Sequence, residues 1–152
     1  MQYYRINTDR DARTDKIKTC DIWYEKQMAF AGDYTGNEGR HANIFKFIQK
    51  GDGIFMHNSK DGIIGFGIVK DNWDKKHYKL KDMLLYNPNN LPDKETTEYR
   101  IAVYWLPECD LRHNPLPINR HLPYAGPWSR VSNTIWKPEE IIRKLKLRKN
   151  KV

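Results

Sequence analysis

The sequence predicts an α+β domain: one curved, mostly antiparallel sheet, or partial barrel, with helices packed outside it. Three observations lead there. The middle of the chain reads as strands, with GIFMHN at 53–58, IIGFGIVK at 63–70 and RIAVYWL at 100–106. Gly62, Gly65 and Gly67 fall in or beside the second of these, where a strand must bend or admit close neighbours. Segments with helical spacing flank that centre on both sides. A length of 152 residues suits one core and is too short for two ordinary ones, so 1–152 is read as a single domain.

Residues 3–6 read as a first strand. Ile17, Cys20 and Trp23 or Tyr24 recur at helical spacing, which predicts a helix over 14–27. MAFAGDY, at 28–34, is a short buried segment. Three glycines between 32 and 40 mark a loop. A second helix follows over 41–52, with Ile44, Phe45, Phe47 and Ile48 expected inward and Gly51 as its C-terminal cap. Residues 72–97 form a polar excursion with two prolines, expected to be mobile. Ile101, Val103 and Trp105 alternate as the buried face of a strand. Four prolines between 111 and 127 mark a long loop. Pro138 and two glutamates open a last helix that ends in lysines and arginines, the order a helix dipole favours.

Twenty-seven Lys and Arg against nineteen Asp and Glu give a net charge of +8, which favours polyanionic partners, nucleic acid first. From 137 to 152 there are seven basic and two acidic residues, so that tail carries five of the eight charges. The tail is either a solvated basic helix end or a phosphate-contacting one. Aromatic residues make up 12% of the chain, too many for a disordered one. No stretch approaches the roughly 18 apolar residues of a membrane span, and the N-terminus lacks an apolar signal core. A cytoplasmic protein is expected.

Several chemistries lack their residues. There is no phosphate-binding loop, no HExxH and no GxSxG. GIIGFG lies within a strand pattern and does not open a helix, so it does not meet the dinucleotide-binding context. Cys20 and Cys109 form neither a disulfide framework nor a CxxC site. No metal and no cofactor is expected. His113 and His121 leave one catalytic alternative, an RNA-binding or metal-independent RNA-cleaving protein with two imidazoles as acid and base. The aromatic residues say more. Phe30, Trp73 and Trp128 sit beside glycine, asparagine, aspartate or serine rather than in periodic core stretches. An extruded base needs flat apolar walls and a few polar groups for its edge, which such clusters supply.

The run FKFIQKGDGIFMHN, followed by IIGFGIV, resembles the central signature of the EVE and YTH group within the PUA-like superfamily. Residues 28–34 are similar to the short strand before that signature. Residues 3–8 are similar to the group's first strand, and 100–106 to a later one. Leu111–Arg112–His113 and the run from Trp128 to Thr134 resemble its closing loop and strand. The resemblance spans most of the chain.

It implies a PUA-like fold and a non-catalytic reader of nucleic acid that flips a modified base, a methylated adenine or cytosine, into an aromatic pocket. It is also similar to the N-terminal modified-DNA-binding domain of McrB-type restriction proteins. That implies a targeting role beside a nuclease or AAA+ partner or further domain, with DNA favoured over RNA. By position, Phe30 would be the first wall of the pocket, and Trp73 or Trp128 the second. Asn7, Thr8, Asp9, Asp33 and Asn43 would read the polar edge. Arg40, Arg112, Arg130, Ser132, Arg143, Lys144 and Lys146 would contact the backbone.

Overall fold

The computed structural model describes residues 1–8, 19–33, 42–58, 61–79, 82, 84, 97–117, 128–131 and 137–151. Among the described residues, seven strands form one curled, mixed sheet: β1 (Tyr3–Asn7), β2 (Met28–Asp33), β3 (Gly53–Asn58), β4 (Gly62–Val69), β5 (His77–Lys79), β6 (Thr97–Trp105) and β7 (Trp128–Arg130). The order is β2-β6-β4-β3-β1-β7, with β5 paired to β6 beside β4. β1 runs parallel to β3; the other pairings are antiparallel. This is the curved α+β partial barrel expected from the sequence, consistent with a PUA-like fold. Among the described residues, three α-helices accompany it, α1 (Thr19–Lys26), α2 (Ala42–Phe47) and α3 (Pro138–Asn150), with a 3-10 turn at Pro107–Cys109.

The register explains why the central strands look apolar throughout. Tyr4 and Ile6 stand opposite Ile54 and Met56, while Arg5 stands opposite Phe55 on the other face. The first face joins Ile22 and Trp23 of α1 and Ile44 and Phe45 of α2 in the larger core. The second face places Phe55, Ile63 and Phe66 against Ile141 and Leu145 of α3. Covered on both sides, β3 loses the polar alternation of a half-exposed strand. Trp105 is 1% exposed and shares its core with Ile101 and Val103, as their period predicts. Gly67 admits β6: a Cβ there would lie 2.6 Å from Val103 Cγ1 and 2.7 Å from Trp105 Cε3.

Three expectations are corrected. The second helix ends at Phe47, and Gly51 takes the following turn at φ 92° rather than the cap. Phe47 is 69% exposed, because residues two apart on a helix cannot both face the core that holds Phe45. The excursion after β4 is partly structured: β5 pairs along β6, and Trp73 packs into the core. Of the first predicted helix, residues 19–26 are helical and 14–18 lie outside the described residues.

Candidate nucleic-acid interface

Trp73 follows β4, where Asn72 Oδ1 accepts the Lys50 N–H at 2.8 Å and ties this segment to the end of α2. Its ring meets Phe45 edge-on at 6.2 Å and Tyr99 at 5.9 Å and 90°. The residue is 9% exposed, and its buried Nε1 has no hydrogen-bond partner among the described residues. Beside it opens a cleft of about 720 Å³, lined by Phe45, Ile48, Gln49, Asn72, Lys46 and Lys75 as well as Trp73. Lys75 holds a left-handed backbone at φ 65°, and Asp74 Oδ1 accepts the Lys76 N–H at 2.9 Å within the same turn. A non-glycine residue in that region costs free energy that its surroundings must offset. The cleft thus combines an indole edge, two amides and two ammonium groups.

The other expected pocket residues are spread more widely. Phe30 is a core residue, 1% exposed, edge-on to Trp23 at 5.5 Å, with no open face for a ligand. Asn7 is half-buried at the end of β1. Thr8 is buried, and both its N–H (2.8 Å) and its hydroxyl (3.2 Å) donate to the His57 carbonyl. Asn43 is exposed in the first turn of α2, accepting from Lys46 Nζ at 3.3 Å. Asp9, Arg40, His121 and Ser132, and the side chains of Asp33 and Trp128, lie outside the described residues. Trp73 and Asn43 therefore both border α2, and Trp73 reaches the strand beside Phe30 through Tyr99, the register partner of Ala31.

The expected backbone contacts differ in how far they are already engaged. Arg112 donates to Asp110 through Nε (3.0 Å) and Nη2 (2.8 Å) and to Asp21 through Nη1 (2.9 Å), and it lies 4.1 Å over the Tyr24 ring. The bond to Asp110 raises the Arg112 pKa, against a smaller opposing effect of burial. Burial would lift the Asp110 carboxyl, but its bonds from Arg112 outweigh that and hold it below the usual range. Arg130 is exposed and donates through Nε to Gln2 Oε1 at 3.0 Å. On α3, Arg143 and Lys146 are exposed and Lys144 is half-buried. His113 is exposed on a turn.

Two polar clusters were not read from the sequence. Arg5 (1% exposed) and His57 (2%) meet inside the sheet, with Nη1 3.3 Å from Nδ1. Glu98 is fully buried and accepts from Leu84 N–H at 2.7 Å and Arg100 Nε at 2.5 Å, while Arg100 stacks 3.6 Å over Tyr78. No local signal marked them, because Arg5 alternates with Tyr4 and Ile6, and Glu98 and Arg100 fall on the outward phase of β6 with Tyr104. Among the described residues, no group of three or more His, Cys, Asp or Glu gathers as a metal site, and no helix is long and apolar enough to cross a membrane.

No family model and no curated protein matches the chain. Solved structures do. The Toxoplasma CPSF4-YTH domain is 17% identical at a TM-score of 0.35, over 69% of this chain. This chain spans 57% of that domain's length. The DUF55 domain of human thymocyte nuclear protein 1 is 14% identical at a TM-score of 0.38, over 70% of this chain and 68% of that one. Human THYN1 protein, in complex with DNA containing 5-methylcytosine, is 15% identical at a TM-score of 0.43, over 100% of this chain and 99% of that one. These are distant likenesses.

Proposed function

We propose that this chain is a non-catalytic nucleic-acid-binding domain that recognises a modified base, a methylated adenine or cytosine, in an aromatic pocket. The observation that carries the reading is the cleft beside Trp73. The Trp73 indole edge gives a base an apolar wall, the Gln49 and Asn72 amides both donate and accept at its edge, and Lys46 and Lys75 neutralise phosphates. A base inside a duplex cannot enter such a cleft, so the ligand is single-stranded or flipped. Asn7, Thr8 and Asn43 stay in the proposal as edge readers, and Asp9, Asp33 and Trp128 on their sequence positions alone. Such a domain would serve as the targeting module of a modification-dependent restriction system, with DNA favoured over RNA. Any nuclease or AAA+ activity would then belong to a partner or another domain. The reading rests on the motifs, the charge and the cleft, not on the distant structural likenesses.

The test is a binding screen of matched DNA and RNA oligonucleotides carrying N6-methyladenine, 5-methylcytosine, 5-hydroxymethylcytosine or no modification. Affinity is expected to fall by about tenfold or more between 50 and 200 mM salt if a handful of phosphates is contacted. One modification should be preferred, and Trp73→Ala should abolish that preference. Salt-independent affinity would remove nucleic acid as the partner.

A further inference from the structure

A second cleft, of about 410 Å³, opens at the N-terminal end of β1 and shares Gln49 with the first. Gln2, Tyr4, Phe47, Asp52 and Arg130 complete its lining. The volume lies within the roughly 300–1,000 Å³ of small-ligand sites. Phe47, at the end of α2, is 69% exposed. Arg130, on β7, uses Nε on Gln2, and its two Nη nitrogens hold no hydrogen-bond partner among the described residues. Asp52 is 7% exposed and is fixed by the N–H groups of Gln2 (3.0 Å) and Gln49 (2.9 Å), one on each carboxylate oxygen. Each oxygen keeps a further lone pair. Burial and Asp52 hold the Tyr4 phenol above its ordinary range, so it stays a neutral hydroxyl, donating to the Phe47 carbonyl at 3.3 Å.

We infer that this second cleft receives an unmodified guanine next to the modified base on the same strand, so that the domain reads a two-nucleotide context. The inference rests on the function proposed above and adds to it a ligand for a separate set of residues. Three features select that ligand. The shared Gln49 makes the clefts adjacent, which suits consecutive bases of one strand. The exposed Phe47 ring offers a stacking face that is not yet used. The unpartnered Nη pair of Arg130 matches the O6 and N7 acceptors of guanine, the only base with two acceptors on that edge. Asp52 stands in the same cleft to accept from an amino group. An adenine edge would set its N6 amino donor against the guanidinium donors.

The experiment is fluorescence anisotropy with short single strands. Each carries the preferred modified base and one of the four bases at its 5′ or 3′ side, and the strands are titrated against wild type, Phe47→Ala and Arg130→Gln. Both substituted residues are exposed, so the fold should persist, and circular dichroism checks it. Wild type should prefer a guanine neighbour on one side by about fivefold or more. Arg130→Gln should erase that preference and leave the modification preference intact. Phe47→Ala should weaken all flanked strands by about fivefold or more, and Phe47→Trp should restore them. If wild type prefers the modified base but is indifferent to its neighbours, or if both variants behave as wild type, the second subsite is wrong while the first stands. If no oligonucleotide binds at all, the proposed function falls and takes this inference with it.

Discussion

Removing the Trp105 side chain tests whether the sheet is held as described. The indole is 1% exposed, stacked on Trp23 at 5.8 Å and 19°, and 5.9 Å from Tyr24. Its Nε1 donates to the Met28 carbonyl at 3.0 Å, joining the end of β6 to the start of β2. Trp105→Ala deletes a fully buried aromatic ring, which costs about 3–5 kcal/mol. Trp105→Phe keeps most of the apolar volume but leaves the Met28 oxygen unpaired, a cost of about 1–3 kcal/mol. The assay is urea unfolding at 25 °C followed by far-ultraviolet circular dichroism, because tryptophan fluorescence would change with the substitution itself. The midpoints should fall in the order wild type, Phe variant, Ala variant, with the slope m unchanged. Total stability of a domain is about 5–15 kcal/mol, so the Ala variant risks not folding, and the Phe variant then carries the test. A loss below about 0.5 kcal/mol for Trp105→Phe, with Trp105→Ala well folded and similarly stable, would refute the packing argument.

Gly67→Ala should destabilise by about 1–3 kcal/mol, because the new methyl meets Val103, the Trp105 ring and the Tyr104 carbonyl, 2.8 Å away; thermal melts that match wild type would count against the tight β4–β6 approach. The Asp110 pKa is lowered in the folded state, so its contribution to stability is present above the ordinary carboxylate value of 3.8 and is lost as the pH falls through the lowered one. Asp110→Asn should therefore lower the urea midpoint at pH 6 and narrow the gap to wild type below about pH 4; a pH-independent gap would contradict it. The Cys109 thiol is pushed up to about 11 by burial and by Glu108, so it should react with a thiol reagent at pH 8 far more slowly than in urea; equal rates would place it at the surface.

Strand identities were legible because period two survives wherever one face is buried. IAVYW shows Ile101, Val103 and Trp105 inward and Tyr104 outward, and the structure keeps that phase. The last helix was legible through Pro138 and its charge order. Its packing partner was not, since nothing local says that Ile141 and Leu145 meet Phe55 and Phe66 across the sheet. The burial of Phe30 was not legible for the same reason. Its neighbours Gly32 and Asp33 look like a loop, yet the pairing of β2 with β6 extends to Asp33 and Thr97, and long-range pairing decided the burial of Phe30. Trp73 opens the polar excursion in the sequence, yet most of its ring serves the core. The buried Arg5–His57 and Glu98–Arg100 pairs were hidden because single polar residues in apolar strands read as exposed until the register shows both faces covered.

The cations sort themselves by what already holds them, and that sorting decides which should contribute to the proposed nucleic-acid binding. Counterion release counts only positive charge that a phosphate can newly neutralise. Arg112 faces two carboxylates and brings little net charge to a phosphate. Among the described residues, Lys46 holds a neutral amide only, and Lys75 stands at the cleft with no carboxylate within ion-pair distance. Reversing Lys46 and Lys75 to Glu should therefore lower affinity for every sequence and flatten the logarithmic salt slope by about 0.7 per lost contact on a single strand. Arg112→Gln should leave that slope unchanged and instead lower the unfolding midpoint, because Asp110 and Asp21 lose their partner and Tyr24 its covering guanidinium. Arg143 and Lys146 occupy the sheet face opposite α2, so reversing them reports separately on whether the nucleic acid wraps onto α3. The opposite pattern, with Arg112 setting the slope and Lys46 and Lys75 inert, would move the interface away from the clefts and toward the turn after β6.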